Sequence, residues 1–123
     1  MEEHYFLIDH IRKNKRYNLT ALAEDNYNEV TIGRLHHGAS IEVGWENLSL
    51  TKFISRHHAT ITSVGNVLYL TDNNSAIGTF VNGKRLSDAG HILNDGDKIY
   101  IGEHYGPLEI KSVQYPIHEH SSQ

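Results

Sequence analysis

The chain has 123 residues, 38% of them hydrophobic, with no cysteine and a formal charge of −4 when its ten histidines are neutral. That length suits one domain with one core. The missing thiols exclude a disulfide framework, thiolate metal sites and thiol catalysis, and the acidic balance excludes nucleic-acid binding through bulk charge.

Residues 5–8 make the first apolar run, far too short for a signal-peptide core or a membrane span. The expectation is a cytoplasmic protein with no membrane association. Residues 5–9 read as a first strand, and residues 12–16, with four basic side chains around Asn14, as a solvated turn. Tyr17, Leu19 and Ala21 alternate with polar neighbours and predict a second strand. A helix from Leu19 is the alternative, disfavoured because the Asp25-Asn26 break follows so soon. Residues 30–33 form a β-branched strand ending in Gly33-Arg34, and residues 41–43 another short one. Residues 44–52 are a longer irregular connection holding the only tryptophan, Trp45; long loops in compact domains are often functional.

Ser55-Arg56-His57-His58 leads into a strand over 59–63, a tight turn at 64–66 and an alternating strand over 67–71, which together predict a hairpin. In the stretch 72–83, Gly78 stands where the chain must turn sharply. Asn82-Gly83 is a strong hairpin signal, since both residues tolerate positive φ. Residues 84–86 return beside residues 80–81. Residues 92–93 and 98–101, joined through Asn94-Asp95-Gly96-Asp97, predict another strand–turn–strand. Residues 102–107 read as a loop and 108–113 as a last strand paired with the first. The polar residues 116–123 are expected to be a flexible tail, leaving 1–115 as one domain. The sum is roughly ten short strands with regular turn signals and no convincing helix. That pattern predicts an all-β sandwich or barrel with its function in the loops at one end.

Three motifs carry chemistry. An arginine directly after a strand-ending glycine, Gly33-Arg34, can reach over the loop end with a fork suited to phosphate or carboxylate. In Ser55-Arg56-His57-His58 a hydroxyl and a guanidinium can meet an anion. The two histidines face opposite ways in an extended chain, so one is expected to be buried and the other exposed. Two adjacent histidines on a strand do not readily ligate one ion. The stretch from Asp72 begins like a calcium loop, but Ala76, Ile77 and Gly83 occupy positions that need ligands or a glycine. No metal and no cofactor is expected, and the other histidines, His36, His37, His91, His104, His118 and His120, read as solvated loop and tail residues.

Together, Gly33-Arg34, Ser55-x-x-His58, Gly78-Thr79-x-Val81-Asn82-Gly83 and the run from Ile92 to Gly102 resemble the forkhead-associated (FHA) domain over about residues 5 to 113. The resemblance implies a β-sandwich of about eleven mostly antiparallel strands that binds phosphothreonine peptides in signalling. It places Arg34 and Ser55 on the phosphopeptide, with Arg56 assisting at the phosphate. Gly33, His58, Gly78, Asn82 and Gly83 become scaffold, His58 fixing the loop that carries Ser55. The peptide-facing positions of the next loop fall on Ala76 and Ile77. There the family commonly has Thr and usually Asn, and an aliphatic side chain cannot make that Asn's hydrogen bonds to the peptide backbone. Lys84 and Arg85 would attract acidic residues flanking the phosphothreonine. Two rival readings stand beside this one. The first is phosphate-independent protein association, with Ala76, Ile77 and Trp45 forming an apolar patch. The second, much weaker, is a small metal-binding β-barrel enzyme.

Overall fold

A computed structural model describes residues 2–102 and 104–116. Eleven strands form two sheets, Glu2–Asp9 (β1), Lys15–Asn18 (β2), Glu29–Arg34 (β3), Ile41–Val43 (β4), Ala59–Val64 (β5), Val67–Asp72 (β6), Thr79–Val81 (β7), Lys84–Arg85 (β8), His91–Ile92 (β9), Lys98–Ile101 (β10) and Tyr105–Tyr115 (β11). One sheet runs β2-β1-β11-β10-β7-β8 and the other β4-β3-β5-β6-β9. All pairings are antiparallel except that of β3 with β4. The longest pairing joins β1 to β11, from Glu2 opposite Tyr115 to Asp9 opposite Leu108.

Alternation along the strands decides which face is buried. Leu7, Ile99, Ile101, Leu108 and Ile110 of the first sheet meet Val30, Ile32, Ile41, Ile61 and Leu70 of the second in one core, all with almost no exposure. Each such side chain contributes about 1.5–3 kcal/mol on burial, which sets the register, because a one-residue slip would turn the whole set to water. The Asn82-Gly83 turn forms as expected, with both residues at positive φ. Lys13 and Asn14, at φ 55° and 58°, make a second tight turn between β1 and β2, closed by the Lys15 amide donating to Arg12 O.

Three expectations are corrected. The second strand stops at Asn18, and Leu19–Asp25 is a helix (α1). The Asn18 side chain accepts from the Ala21 amide at 3.1 Å, a helix N-cap, and Leu19 and Ala23, one turn apart, are buried. A shorter helix, Leu48–Thr51 (α2), lies in the long connection after β4. Second, Ile92 and residues 98–101 do not pair with each other: β9 joins β6 in the second sheet while β10 lies between β7 and β11 in the first. Third, residues 105–107 belong to β11, not to a loop. The tail expected from residue 116 lies, beyond Pro116, outside the described residues, as do His118 and His120.

Candidate functional site

One end of the sandwich is built by the connections after β3, β4 and β6. The segment from Ser55 to His58 is sewn to β3: the Arg34 amide donates to Ser55 O at 3.1 Å and the His58 amide to Ile32 O at 2.8 Å. That approach requires Gly33. A Cβ there would lie 1.8 Å from the carbonyl oxygen of Arg56, so no side chain fits.

The Arg34 guanidinium is held in place by the same segment. Its Nε donates to Ile54 O at 2.7 Å and Nη2 to Lys52 O at 3.1 Å. A guanidinium carries five N–H donors, so three stay without a partner among the described residues. The Ser55 hydroxyl, half-buried beside it, likewise makes no hydrogen bond there, and Arg56 and His57 are exposed. The result is a fixed cation with free donors next to a free hydroxyl, an arrangement that suits a tetrahedral oxyanion.

His58 is fully buried. Its Nδ1 accepts from the Ser55 amide at 3.0 Å and its Nε2 donates to Gly78 O at 2.7 Å. Only the neutral imidazole protonated at Nε2 makes both bonds. It thereby clamps the Ser55 loop of one sheet to the Gly78 turn of the other. Burial pushes its pKa below the ordinary value, against the opposing pull of the Gly78 carbonyl and the Asp72 carboxylate 3.9 Å away. On the Asp72 carboxyl burial acts in the opposite direction and works to raise its pKa. Hydrogen bonds from the Ser75 and Thr79 hydroxyls and the Ser75 amide outweigh it and leave that carboxyl lowered.

A pH dependence follows from His58. The unfolded side chain titrates near 6.5 and the folded one lower, so the unfolded chain binds more protons as pH falls below 6.5. The stabilising contribution is complete above that pH and is lost on the way down, at a rate of at most about 1.4 kcal/mol per pH unit for one group. Urea unfolding at pH 7.5 and 5.5 should therefore show a loss in the wild type that is smaller in His58→Asn. Equal losses in the two proteins would assign the effect elsewhere.

The two aliphatic positions before Gly78 part company. Ala76 is exposed, whereas Ile77 is half-buried and lines an apolar groove of about 500 Å³ with Trp45, Leu50, Phe53, Ile54 and Ile101. Leu50 and Phe53 remain 48% and 55% exposed, so the groove opens to solvent. Its wall, Phe53-Ile54, is the segment that Arg34 grips. Sequence reasoning singled out Trp45 and the long connection but not Leu50 or Phe53; an apolar pair in a solvent-facing loop was the available signal. Of the two cations after the hairpin turn, Arg85 reaches the site: its guanidinium rests where a Cβ on Gly78 would be, 2.7 Å from Nε. Lys84 is exposed on β8.

At the opposite end Asn82, Asp97 and His91 form a structural network. The Asn82 side chain donates to Asp97 at 2.9 Å and accepts from the Lys98 amide at 2.9 Å. His91 Nε2 meets Asp97 at 2.9 Å. His91 is thus not a solvated loop residue, which corrects that expectation, while His36 and His37 are exposed. Among the described residues no three His, Asp or Glu side chains come together as a metal site, and no helix is long and apolar enough to cross a membrane.

The FHA domain family model matches residues 30–102, which includes every element of this loop end. The chain is 48% identical over 48 residues, 39% of its length, to the Mycobacterium tuberculosis ABC transporter ATP-binding/permease protein Rv1747, of which the match spans 5%. It superposes with a TM-score of 0.66 and 30% identity on Mycobacterium tuberculosis EmbR in complex with a low-affinity phosphopeptide, covering 88% of this chain and 24% of that one. The FhaA FHA domain, complexed with the intracellular domain of Rv3910, matches at 27% identity and a TM-score of 0.61, covering 91% and 100%. With two sheets in this order, the Gly33-Arg34 and Ser55-to-His58 segments sewn together and the family model spanning them, the chain belongs to the FHA domain family, a family of protein-interaction modules.

Proposed function

We propose that this domain binds phosphothreonine peptides as a module of cytoplasmic signalling, with no catalytic role. The observation that carries this reading is the anchored Arg34 guanidinium with free donors beside the unpartnered Ser55 hydroxyl. Arg34 and Ser55 take the phosphate oxygens, Arg56 adds charge from its exposed position, and Arg85 supplies a further cation at the Gly78 side. Gly33, His58 and Gly78 hold these groups in register, and Asn82 and Gly83 close the hairpin behind them. The phosphopeptide bound by EmbR supports a phosphopeptide ligand, and the complex of the FhaA FHA domain with another protein's domain supports a role in protein interaction. Titration with matched phosphothreonine, phosphoserine and unphosphorylated peptides tests it; equal binding of all three would remove phosphate recognition.

A second reading, phosphate-independent association, is favoured by one observation. Ile77 and Trp45 line a single apolar groove, though Ala76 takes no part in it. The variant Ile77→Asn separates the two. An Asn offers a donor and an acceptor to a passing peptide backbone, each bond netting about 0.5–1.5 kcal/mol. Under the phosphopeptide reading, binding tightens a few-fold to about a hundredfold. The melting temperature moves little, because Ile77 is half-buried and packs over Gly102 rather than in the core. Under the second reading the same change puts a polar group into the contact and weakens partner binding. Peptide titration and thermal melting on one preparation decide between them.

A further inference from the structure

A second and larger groove, about 940 Å³, lies between the β1–β2 turn and the connections after β3 and β4. Its floor is apolar, made of Leu35, Trp45 and Leu50, with Ile11 at the edge. One wall carries Arg12, Lys13 and Lys15, and His36 also lines it; Glu46 is its one acidic lining residue. On a chain of net charge −4 this is a local reversal of sign.

The cations of this wall are unneutralised. Every ion pair between the described residues has histidine as its basic partner, so no lysine or arginine meets a carboxylate there. Glu46 stands in the groove itself, and the acids that adjoin the turn are engaged elsewhere. Asp9 accepts from the Ile11 and Arg12 amides and from the Tyr105 hydroxyl, and Glu109 is paired with His10.

The backbone turn that carries the wall is held in place. Arg12 Nη1 donates to Glu42 O at 3.1 Å, Asn14 meets His10 at 2.7 Å, and Lys13 is held in the left-handed region, uncommon for that residue and found where surroundings enforce it. The floor is fixed as well: Trp45 stacks edge-on against Tyr105 with ring centroids 4.9 Å apart, and buried Thr51 bonds both the Trp45 amide and carbonyl at 2.8 Å.

We propose that this groove receives an acidic segment of the phosphorylated partner, with one large apolar side chain of that segment on Trp45 and Leu50. This rests on the phosphopeptide reading above and extends it to a second contact. Charge complementarity selects the acidic partner. Trp45 and Leu50 also line the apolar groove beside the Arg34 segment, so one peptide has a continuous path across both. A concave, apolar floor fits a peptide rather than a flat membrane surface, and the net negative charge opposes nucleic acid.

The test uses a core phosphothreonine peptide and two extended versions, each carrying a run of glutamates and one leucine through a flexible linker, on the N-terminal or C-terminal side. One extended peptide should bind the wild-type domain about tenfold tighter than the core at low salt. The gain should vanish in Lys13→Glu/Lys15→Glu while core binding stays within a few-fold. Lys13→Asn/Lys15→Glu, which keeps a residue tolerant of the left-handed turn, guards against a folding defect and should behave alike. No gain from either extension, or a gain that survives both double variants, overturns the proposal. If the core peptide fails to bind but an unphosphorylated extended peptide binds and loses affinity in the variants, the phosphate reading fails and the groove stands. Anionic vesicles or single-stranded DNA binding more tightly than the extended peptides, with the same sensitivity to the variants, would overturn the peptide as occupant.

Discussion

Arg34→Ala should weaken phosphothreonine-peptide binding at least tenfold while the domain stays folded. Hydrogen bonds to charged groups contribute about 1.5–3 kcal/mol each, and the guanidinium has donors free for two of them, so the loss can run from about a hundredfold to about ten-thousandfold. The fold survives because Lys52 O lies in an exposed stretch, and removal of the half-buried Arg34 side chain opens a path for water to Ile54 O, whose own residue is buried. Arg34→Lys is the informative companion. It keeps the charge but loses the fork that grips the loop and is proposed to hold the phosphate, so its affinity should fall between wild type and Arg34→Ala. Calorimetric titration with a thermal melt on each variant measures both quantities. A folded Arg34→Ala protein with unchanged affinity would end the phosphopeptide reading.

His58→Ala should lower stability and binding together. The substitution leaves the Ser55 amide and the Gly78 carbonyl without the partner that satisfies each at present. A buried polar group so orphaned costs about 1–3 kcal/mol, and the vacated ring adds a cavity. A combined loss of about 3 kcal/mol corresponds to a melting temperature lower by on the order of 10 °C for a domain of this size. Binding falls with it because the loop carrying Ser55 loses its clamp. His57→Ala, at an exposed position, should leave the melt nearly unchanged. The reverse pattern would mean that the imidazole holding the two sheets together is not His58.

The site was legible in the sequence to the extent that its residues fall in short motifs whose order and type mark them, although their contacts join segments about twenty residues apart. Gly33-Arg34 and Ser55 to His58 act through backbone bonds between two short segments, so residue type and order point to the arrangement. That one of His57 and His58 is buried and the other exposed was expected from alternation, and that His58 is the buried one was implied by the family resemblance. The strands of the first hairpin and the Asn82-Gly83 turn were legible for the same reason. What escaped depends on tertiary context. Asn18 continues a strand pattern and caps a helix equally well, and only the burial of Leu19 and Ala23 against the core decides for α1. The strand signal at residues 91–93 is sound, but nothing local says which of two sheets it joins. The two grooves draw on residues from position 11 to position 104, brought together only by the sandwich, so no window of sequence displays them.

The pairing of Glu2 with Tyr115 has an architectural corollary. Glu2 shares a depression with Gly65 and Asn66 of the β5–β6 turn, at the pole of the sandwich remote from Arg34 and Ser55. The two ends of the β1–β11 ladder therefore meet at one pole while the proposed phosphate site occupies the other. A module wired this way can hang from a host polypeptide as a pendant, its binding face directed outward, and splicing it into a surface loop demands no wide gap between the ends of that loop.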